Sequence, residues 1–366
     1  MQPQGPDAGA CGPAQSQAEQ KVKGTMTLKE IAARAGTSVS TVSRVLNQKS
    51  PTCASQKLQD RIWKIARETG YLPNEAARSL RHADAKPDPG ISVSIVLARI
   101  SVLEEEPFFA ELFRNLEAEL FRSGVRTREV VYAKDSLAAD LTAADGVIIL
   151  GRCSHRLLDR ILAQNRNVVG IWRNPTDFDV DEVVCDGKKA AQLAMSHLFS
   201  LGHKKIAYIG SCSYESRYVG YCDMLFKNNL PLDYGLIKQT DQSKAQAETA
   251  FLELLEKKLD GSCDFTAVFC ANDITAVRVL ELLGERKKLL KDGPVSVISI
   301  DDIEEAQNTE PYLTTVRIPR GEMAHMAVLL LLDRIEGGHE EIVRNELPCR
   351  IVQRASCFPN PEAAEE

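Results

Sequence analysis

Between residues 27 and 47 the chain reads Thr27-Leu-Lys-Glu-Ile-Ala-Ala-Arg-Ala-Gly-Thr-Ser-Val-Ser-Thr-Val-Ser-Arg-Val-Leu-Asn47. Thr27 followed by Glu30 fits a capping box: the hydroxyl can accept from the Glu30 amide while the Glu30 carboxylate reaches back to the Thr27 amide. A helix is expected to run from there to Ala35, ended by Gly36, which takes the left-handed turn conformation that larger residues resist. Ser38 then caps a second helix, Val39 to Leu46. Ala32, Gly36, Val42 and Val45 place small, turn and apolar residues where two helices cross closely at a helix-turn-helix. With that face turned inward, Val39, Ser40, Ser43 and Arg44 point outward. A methyl-bearing residue, two hydroxyls and a guanidinium can read base edges in a major groove, and Arg44 can bond a guanine bidentately. A third helix, from about Ser55 to Thr69, brings Leu58, Ile62, Ile65 and Ala66 to complete a small core, and Gly70 ends it.

The whole chain has 366 residues, 44% hydrophobic and 26% charged, a composition that as a whole is neither that of a disordered chain nor that of a membrane bundle. At roughly 100 to 200 residues per domain it has room for two or three domains. The net charge of -6 argues against nucleic acid only when taken whole. Residues 26–86 hold 11 Lys/Arg against 5 Asp/Glu, a net of +6, whereas residues 87–366 hold 32 against 44, a net of -12. A basic head precedes an acidic body. The break between them falls at Asp84-Ala-Lys-Pro-Asp-Pro-Gly90, where two prolines and a glycine interrupt any helix. Residues 1–25, rich in Gly, Pro, Gln and Ala, cannot offset the ordering cost of a fold and read as a disordered tail, so the folded chain is expected to begin at Met26.

The ten cysteines contain no C-x-x-C pair and several sit in apolar runs, which points to reduced, buried thiols in a cytosolic protein rather than a disulfide framework or a metal site. No apolar run reaches the ~18 residues that a bilayer requires, and residues 1–25 lack the apolar stretch of a signal peptide. No G-x-S-x-G, H-E-x-x-H, Walker loop or G-x-G-x-x-G occurs, so nothing recommends an enzyme or a cofactor.

In the body, apolar β-rich runs at 91–98, 125–132, 146–150, 168–172, 205–209, 267–270 and 295–300 alternate with amphipathic stretches at 109–122, 155–163, 188–201, 245–258, 274–283 and 321–336. Near-continuous apolar strands alternating with helices indicate parallel sheets covered on both faces, and so many elements exceed one compact sheet. Two similar lobes are expected.

The stretch 27–47, together with Gly70-Tyr-Leu-Pro-Asn74 and Ala77-Arg-Ser-Leu80, resembles the headpiece of the lactose-repressor (LacI/GalR) family of bacterial transcription regulators. The resemblance extends to about Cys357 through Leu201-Gly-His-Lys-Lys-Ile-Ala-Tyr-Ile-Gly210, Arg217-Tyr-Val-Gly-Tyr221, Phe269-Cys-Ala-Asn-Asp-Ile-Thr-Ala276, Val297-Ile-Ser-Ile-Asp-Asp302 and Pro311-Tyr-Leu-Thr-Thr-Val316. It implies an all-α helix-turn-helix headpiece and an α/β two-lobed periplasmic-binding-protein-like core, the lobes joined by three crossover strands with a small molecule held between them. The implied divisions are a head at 26–72, a hinge helix and linker at 73–89, and a core at 90–358. Within the core the first lobe takes about 90–184 and 318–346 and the second about 185–317 and 347–358, leaving an acidic tail at 359–366.

DNA contacts are then expected from Thr27, Ser38, Val39, Ser40, Thr41, Ser43, Arg44, Asn47, Tyr71, Asn74, Ala77 and Leu80. By resemblance Asn74 to Arg81 is a hinge helix that orders on operator DNA, and Leu80 is a minor-groove wedge. So short a helix does need outside stabilisation, and an apolar wedge does unstack and kink a base step. Effector contacts are expected from Asn272 and Asp301, each following a strand where open α/β sheets place ligands, and from the forked donor Arg217. The resemblance adds Arg173, Asp186, Phe108 and Phe109; N-cap or core roles stay open for Asp186, Asp301 and Phe109. Relatives in this family often carry an aromatic ring in the region matching Thr240-Asp-Gln242, where this chain has Gln242.

The expected protein is a cytoplasmic homodimeric repressor that takes a near-palindromic operator and a mono- or disaccharide, with no metal and no membrane. Phe358 to Glu366 has no heptads, so no coiled-coil tetramer is expected. A global regulator governed by a protein co-repressor, and a sugar-binding enzyme or transport protein with an added head, are the alternatives.

Overall fold

The structure, a computed structural model, describes residues 27–46, 54–69, 71, 90–98, 100–133, 138–261, 264–286 and 294–360. It divides into a head, up to Tyr71, and a core from Leu72 onward.

Three helices form the head: α1 (Leu28–Ala35), α2 (Val39–Leu46) and α3 (Gln56–Thr69). The capping box is present, with the Thr27 amide donating to Glu30 Oε2 at 2.7 Å and the Glu30 amide to the Thr27 hydroxyl at 3.4 Å. Gly36 closes α1 at φ 68°. Ile31, Ala32, Ala35, Val42, Val45, Leu46, Ile62, Trp63 and Ala66 fill the centre. Trp63 takes a central place that the expected Leu58 and Ile65, both half-buried, do not.

The core opens with β1 (Ser92–Ala98), α4 (Pro107–Arg122), β2 (Arg126–Ala133), β3 (Gly146–Leu150), α5 (His155–Leu162), β4 (Val168–Trp172) and β5 (Asp181–Val184). The chain continues as α6 (Gly187–Ser200), β6 (Ile206–Gly210), α7 (Ser216–Lys227), β7 (Ile237–Gln239), α8 (Lys244–Leu259), β8 (Ala267–Cys270), α9 (Asp273–Glu285), β9 (Ser296–Asp301) and β10 (Thr314–Arg317). Last come α10 (Arg320–Ile335), β11 (Arg344–Glu346) and β12 (Arg350–Val352).

Two six-stranded sheets result, ordered β11-β5-β4-β3-β1-β2 and β12-β10-β9-β8-β6-β7. The first is parallel throughout; the second is parallel except for β12 against β10. The chain passes between the sheets after β5, after β10 and between β11 and β12. Parallel strands need helical crossovers, and these cover both faces of each sheet, so β3, β4, β6 and β8 are buried along their whole length.

Strands β5, β7, β10, β11 and β12 and helix α7 were not apparent from apolar runs. Asp181 and Glu182 are completely buried in β5, and Thr314 and Thr315 in β10. Each is satisfied by a partner: Arg334 and the Val343 amide for Asp181, Thr176 for Glu182, the Arg354 amide for Thr314 and the Asp273 carboxylate for Thr315. Paired polar groups can enter a core at little cost and leave no hydrophobic signature.

Candidate functional site

Strand exits of both sheets converge on one cleft of about 820 Å³, lined from the first sheet by Ala98, Phe109, Gly151, Trp172, Arg173 and Asn174 and from the second by Arg217, Gln242, Asn272 and Ile274. This is where open parallel sheets leave room for a ligand. Gly151, at φ 81°, lets β3 leave the sheet hard against the Ala98 carbonyl; a Cβ there would sit 2.8 Å from that oxygen.

Arg217, buried in the first turn of α7, is held on every side. Its Nε and Nη2 donate to the two Glu215 oxygens at 2.7 and 2.8 Å, Nη1 donates to the Ala271 carbonyl at 2.6 Å, and Nη2 also donates to Gln242 Oε1 at 3.0 Å. Burial works against the Arg217 charge, but Glu215 outweighs it and raises the pKa above the ordinary arginine value. Burial likewise pushes Glu215 up, and Arg217 more than reverses it. The guanidinium is a rigid fork. Gln242, at φ 68°, stands where relatives often carry an aromatic ring, and there it bonds Arg217 while its backbone carbonyl accepts from Asn272 Nδ2 at 3.4 Å.

Arg173, just beyond β4, is less well compensated. Its Nη1 lies 3.1 Å from Asp301 Oδ1, and its Cζ stands 3.9 Å from the centre of the Phe108 ring. Burial lowers its pKa, with Asp301 opposing. Glu106, across the mouth, is pushed up by burial, with Arg173 opposing and Asp301 and Glu105 adding to the rise. A buried cation with a single ion-pair partner among the described residues favours a ligand that supplies further oxygen acceptors.

Arg320 links α4 to the segment that follows β9. It bonds Glu111 on α4 at 2.9 Å, and donates to the Asp301 and Asp302 carbonyls, the latter at 2.8 Å. Asp301 and Asp302 sit at φ 133° and 56°, strained values for aspartate that these contacts hold in place. Behind them Asp273 accepts from Ser299, Thr315 and the Ile303 amide, and burial, helped by Asp301, pushes its carboxyl up to about 7.

Of the expected effector residues, Phe109, Arg173, Arg217 and Asn272 line the cleft. Phe108 is buried beneath Arg173, Asp301 is buried in the ion pair, and Asp186 caps α6 by accepting from the Lys188 amide at 2.8 Å. Asn272 also caps α9, its Oδ1 accepting from the Thr275 amide at 3.0 Å. Glu215, Asn174 and Trp172 were not expected. Glu215 stands two residues before Arg217 at a helix start, a signal legible in hindsight from charge spacing.

In the head, Ser38 Oγ accepts from the Thr41 amide at 3.1 Å and caps α2. Val39, Ser40 and Arg44 are exposed and Ser43 is half-buried, and Thr27 is exposed beside the start of α1. Arg44 Nε donates to the Ser40 carbonyl at 3.4 Å, which lays the side chain back along the helix with its terminal nitrogens available to a partner. Tyr71 is half-buried, and burial raises its phenol. Asn47, Asn74, Ala77 and Leu80 lie outside the described residues.

The chain matches two family models: bacterial regulatory proteins of the lacI family over residues 27–74, and the periplasmic binding protein-like domain over residues 195–357. It is 29% identical to the HTH-type transcriptional repressor CytR of Escherichia coli K12, covering 90% of this chain and 96% of that protein. Among solved structures it resembles the transcriptional regulator CelR in complex with cellobiose, at TM-score 0.62 and 25% identity over 90% of this chain and 99% of that one. It also resembles a LacI family transcriptional regulator from Enterococcus faecium with bound ribose, at TM-score 0.62 and 27% identity over 73% of this chain and 99% of that one.

Proposed function

The chain belongs to the LacI family of bacterial regulatory proteins and is a regulator rather than an enzyme, and on that premise we propose that it is an operator-binding repressor controlled by a small sugar-like effector. The cleft carries this reading. Two forked guanidiniums, Asn272, Asn174 and the Gln242 amide stand around a space walled by Phe109, Trp172 and Ile274. Planar donors and amides suit vicinal hydroxyls, and the apolar walls suit a ring face. Its resemblance to proteins solved with cellobiose and with ribose supports the same class. The effector contacts we assign are Arg217, Asn272, Arg173 and Phe109, with Asp301 acting through Arg173.

On the head, α2 enters the major groove with Val39, Ser40, Ser43 and Arg44 toward the bases, while Thr27, Ser38, Thr41, Asn47 and Tyr71 hold the backbone. Asn74, Ala77 and Leu80 engage the minor groove. The basic charge of residues 26–86 supports this, since phosphate contact supplies most non-specific affinity. A homodimer presents two heads to the halves of a near-palindrome. The effector favours one lobe arrangement, and its differential affinity for the two arrangements sets how far operator binding shifts. The lobes divide near residues 185, 318 and 347. Among the described residues no helix is long and apolar enough to cross a membrane.

The test has two arms. Selection of duplexes from a random library by the full chain should yield a near-palindromic site; recovery of no preferred sequence would overturn the operator reading. Thermal-shift screening against mono- and disaccharides, galactosides first, should find a stabilising compound that alters affinity for that site; stabilisation by none of them would remove the sugar class.

A further inference from the structure

The passages between the lobes carry a pair of thiols that the effector reading does not use. Cys185 follows β5 directly and is completely buried; Cys349 directly precedes β12 and is half-buried. The two segments run side by side, Glu346 pairing with Val184 and the Leu347 amide donating to the Val184 carbonyl at 2.9 Å. The Cys185 sulfur lies 3.7 Å from Met323 Sδ, and the Cys349 thiol is close enough to shift its titration. Both are free thiols.

We propose that Cys185 and Cys349 are an oxidation site that a peroxide converts to a disulfide, tying the first and third passages between the lobes. Cys349, the more accessible sulfur, attacks one peroxide oxygen; the O–O bond breaks, one water leaves and a sulfenic acid remains. Cys185 then attacks that sulfur, the S–O bond breaks, and its proton goes out with the hydroxyl as a second water. Two thiols are oxidised and one peroxide is reduced. The Cys185 thiol favours its neighbour's anion: Cys349 is drawn below the ordinary thiol range by the Cys185 thiol beside it, and Cys185 is raised by Cys349 and by burial. The covalent tie holds the lobe arrangement in which the sulfurs meet, so the core becomes insensitive to ligands that require another. That consequence for DNA binding rests on the regulator reading, whereas the thiol chemistry does not.

The full chain is treated with limiting hydrogen peroxide, alkylated after denaturation, and mapped by mass spectrometry. A peptide pair linked through Cys185 and Cys349 is expected, absent from Cys349→Ser and from Cys185→Ser, and reversed by dithiothreitol. If the buried Cys185→Ser variant fails to fold, Cys349→Ser alone decides. The oxidised chain should melt higher, by about 5 °C or more. Both thiols still open to alkylation, or a Cys212–Cys222 link formed first, overturns the site. On duplexes selected by the reduced protein, oxidation should change affinity at least about tenfold or abolish the response to a stabilising saccharide; a link that does neither overturns the switch. Failure of the reduced protein to select any duplex counts against the regulator reading and leaves the linked peptide standing.

Discussion

Arg173 and Asp301 form an ion pair of 3.1 Å between strand exits of the two sheets, β4 in one lobe and β9 in the other. Both side chains are largely withdrawn from solvent, at 24% and 4% exposure, so the contact holds the lobes together with little screening. Breaking a buried pair from one side leaves a charge without a partner and costs about 3–5 kcal/mol. Asp301→Asn should lower the unfolding free energy of the core by roughly that amount, and Arg173→Met placed on top should restore part of it. Denaturant unfolding of the singles and the double measures the coupling; additive losses would remove the pair as an interlobe contact.

Arg44→Ala should abolish preference for the selected operator, costing about 1–3 kcal/mol per half-site, while salt-sensitive binding to unrelated duplex persists. Competition binding at two salt concentrations reads both quantities, and unchanged preference would take Arg44 out of base reading.

Arg217→Lys keeps the charge and removes the fork. Lysine cannot meet both Glu215 oxygens, the Ala271 carbonyl and Gln242 together, so Asn272 loses the frame in which Gln242 sits. The variant should fold and lose at least about tenfold in affinity for whichever saccharide stabilises the wild type. Calorimetric titration checks it; equal affinity would remove Arg217 from the ligand site.

His339 gives a pH signature. Its Nδ1 meets Asp333 at 2.5 Å and its Nε2 meets Asp181 at 2.9 Å, and hydrogen bonds first from Asp333 and then from Asp181 raise its pKa. Its folded value therefore lies above the unfolded value of about 6.5. The stabilisation is fully present below that value and is lost as pH rises through the folded one. The Tm difference between wild type and His339→Gln should be larger at pH 6 than at pH 9, and a difference independent of pH would refute the charged contact.

The helix-turn-helix was legible because capping and turn chemistry are local: Thr27, Glu30, Gly36 and Ser38 act within four residues of their partners. The long parallel strands were legible because burial on both faces makes them continuously apolar. Hidden from the sequence were features that depend on distant partners. Asp181 enters a strand because Arg334, 153 residues away, meets it. Asp301 is taken up in the ion pair with Arg173, and Asp186 is occupied by the start of α6. Gln242 was visible as a departure from an aromatic, but its hold on Arg217 required the fold to bring two loops together.

Each sheet is completed at one edge by a strand from residues 344–352, β11 in the first and β12 in the second. During synthesis neither sheet can close until the ribosome has passed that stretch, although the head has been complete since Tyr71. A nascent chain halted near residue 340 carries a finished DNA-reading module beside two sheets with open, strand-hungry edges, the kind of surface that recruits chaperones or aggregates. Loss of these few residues therefore disables both lobes at once and leaves no half-sensor to survive it.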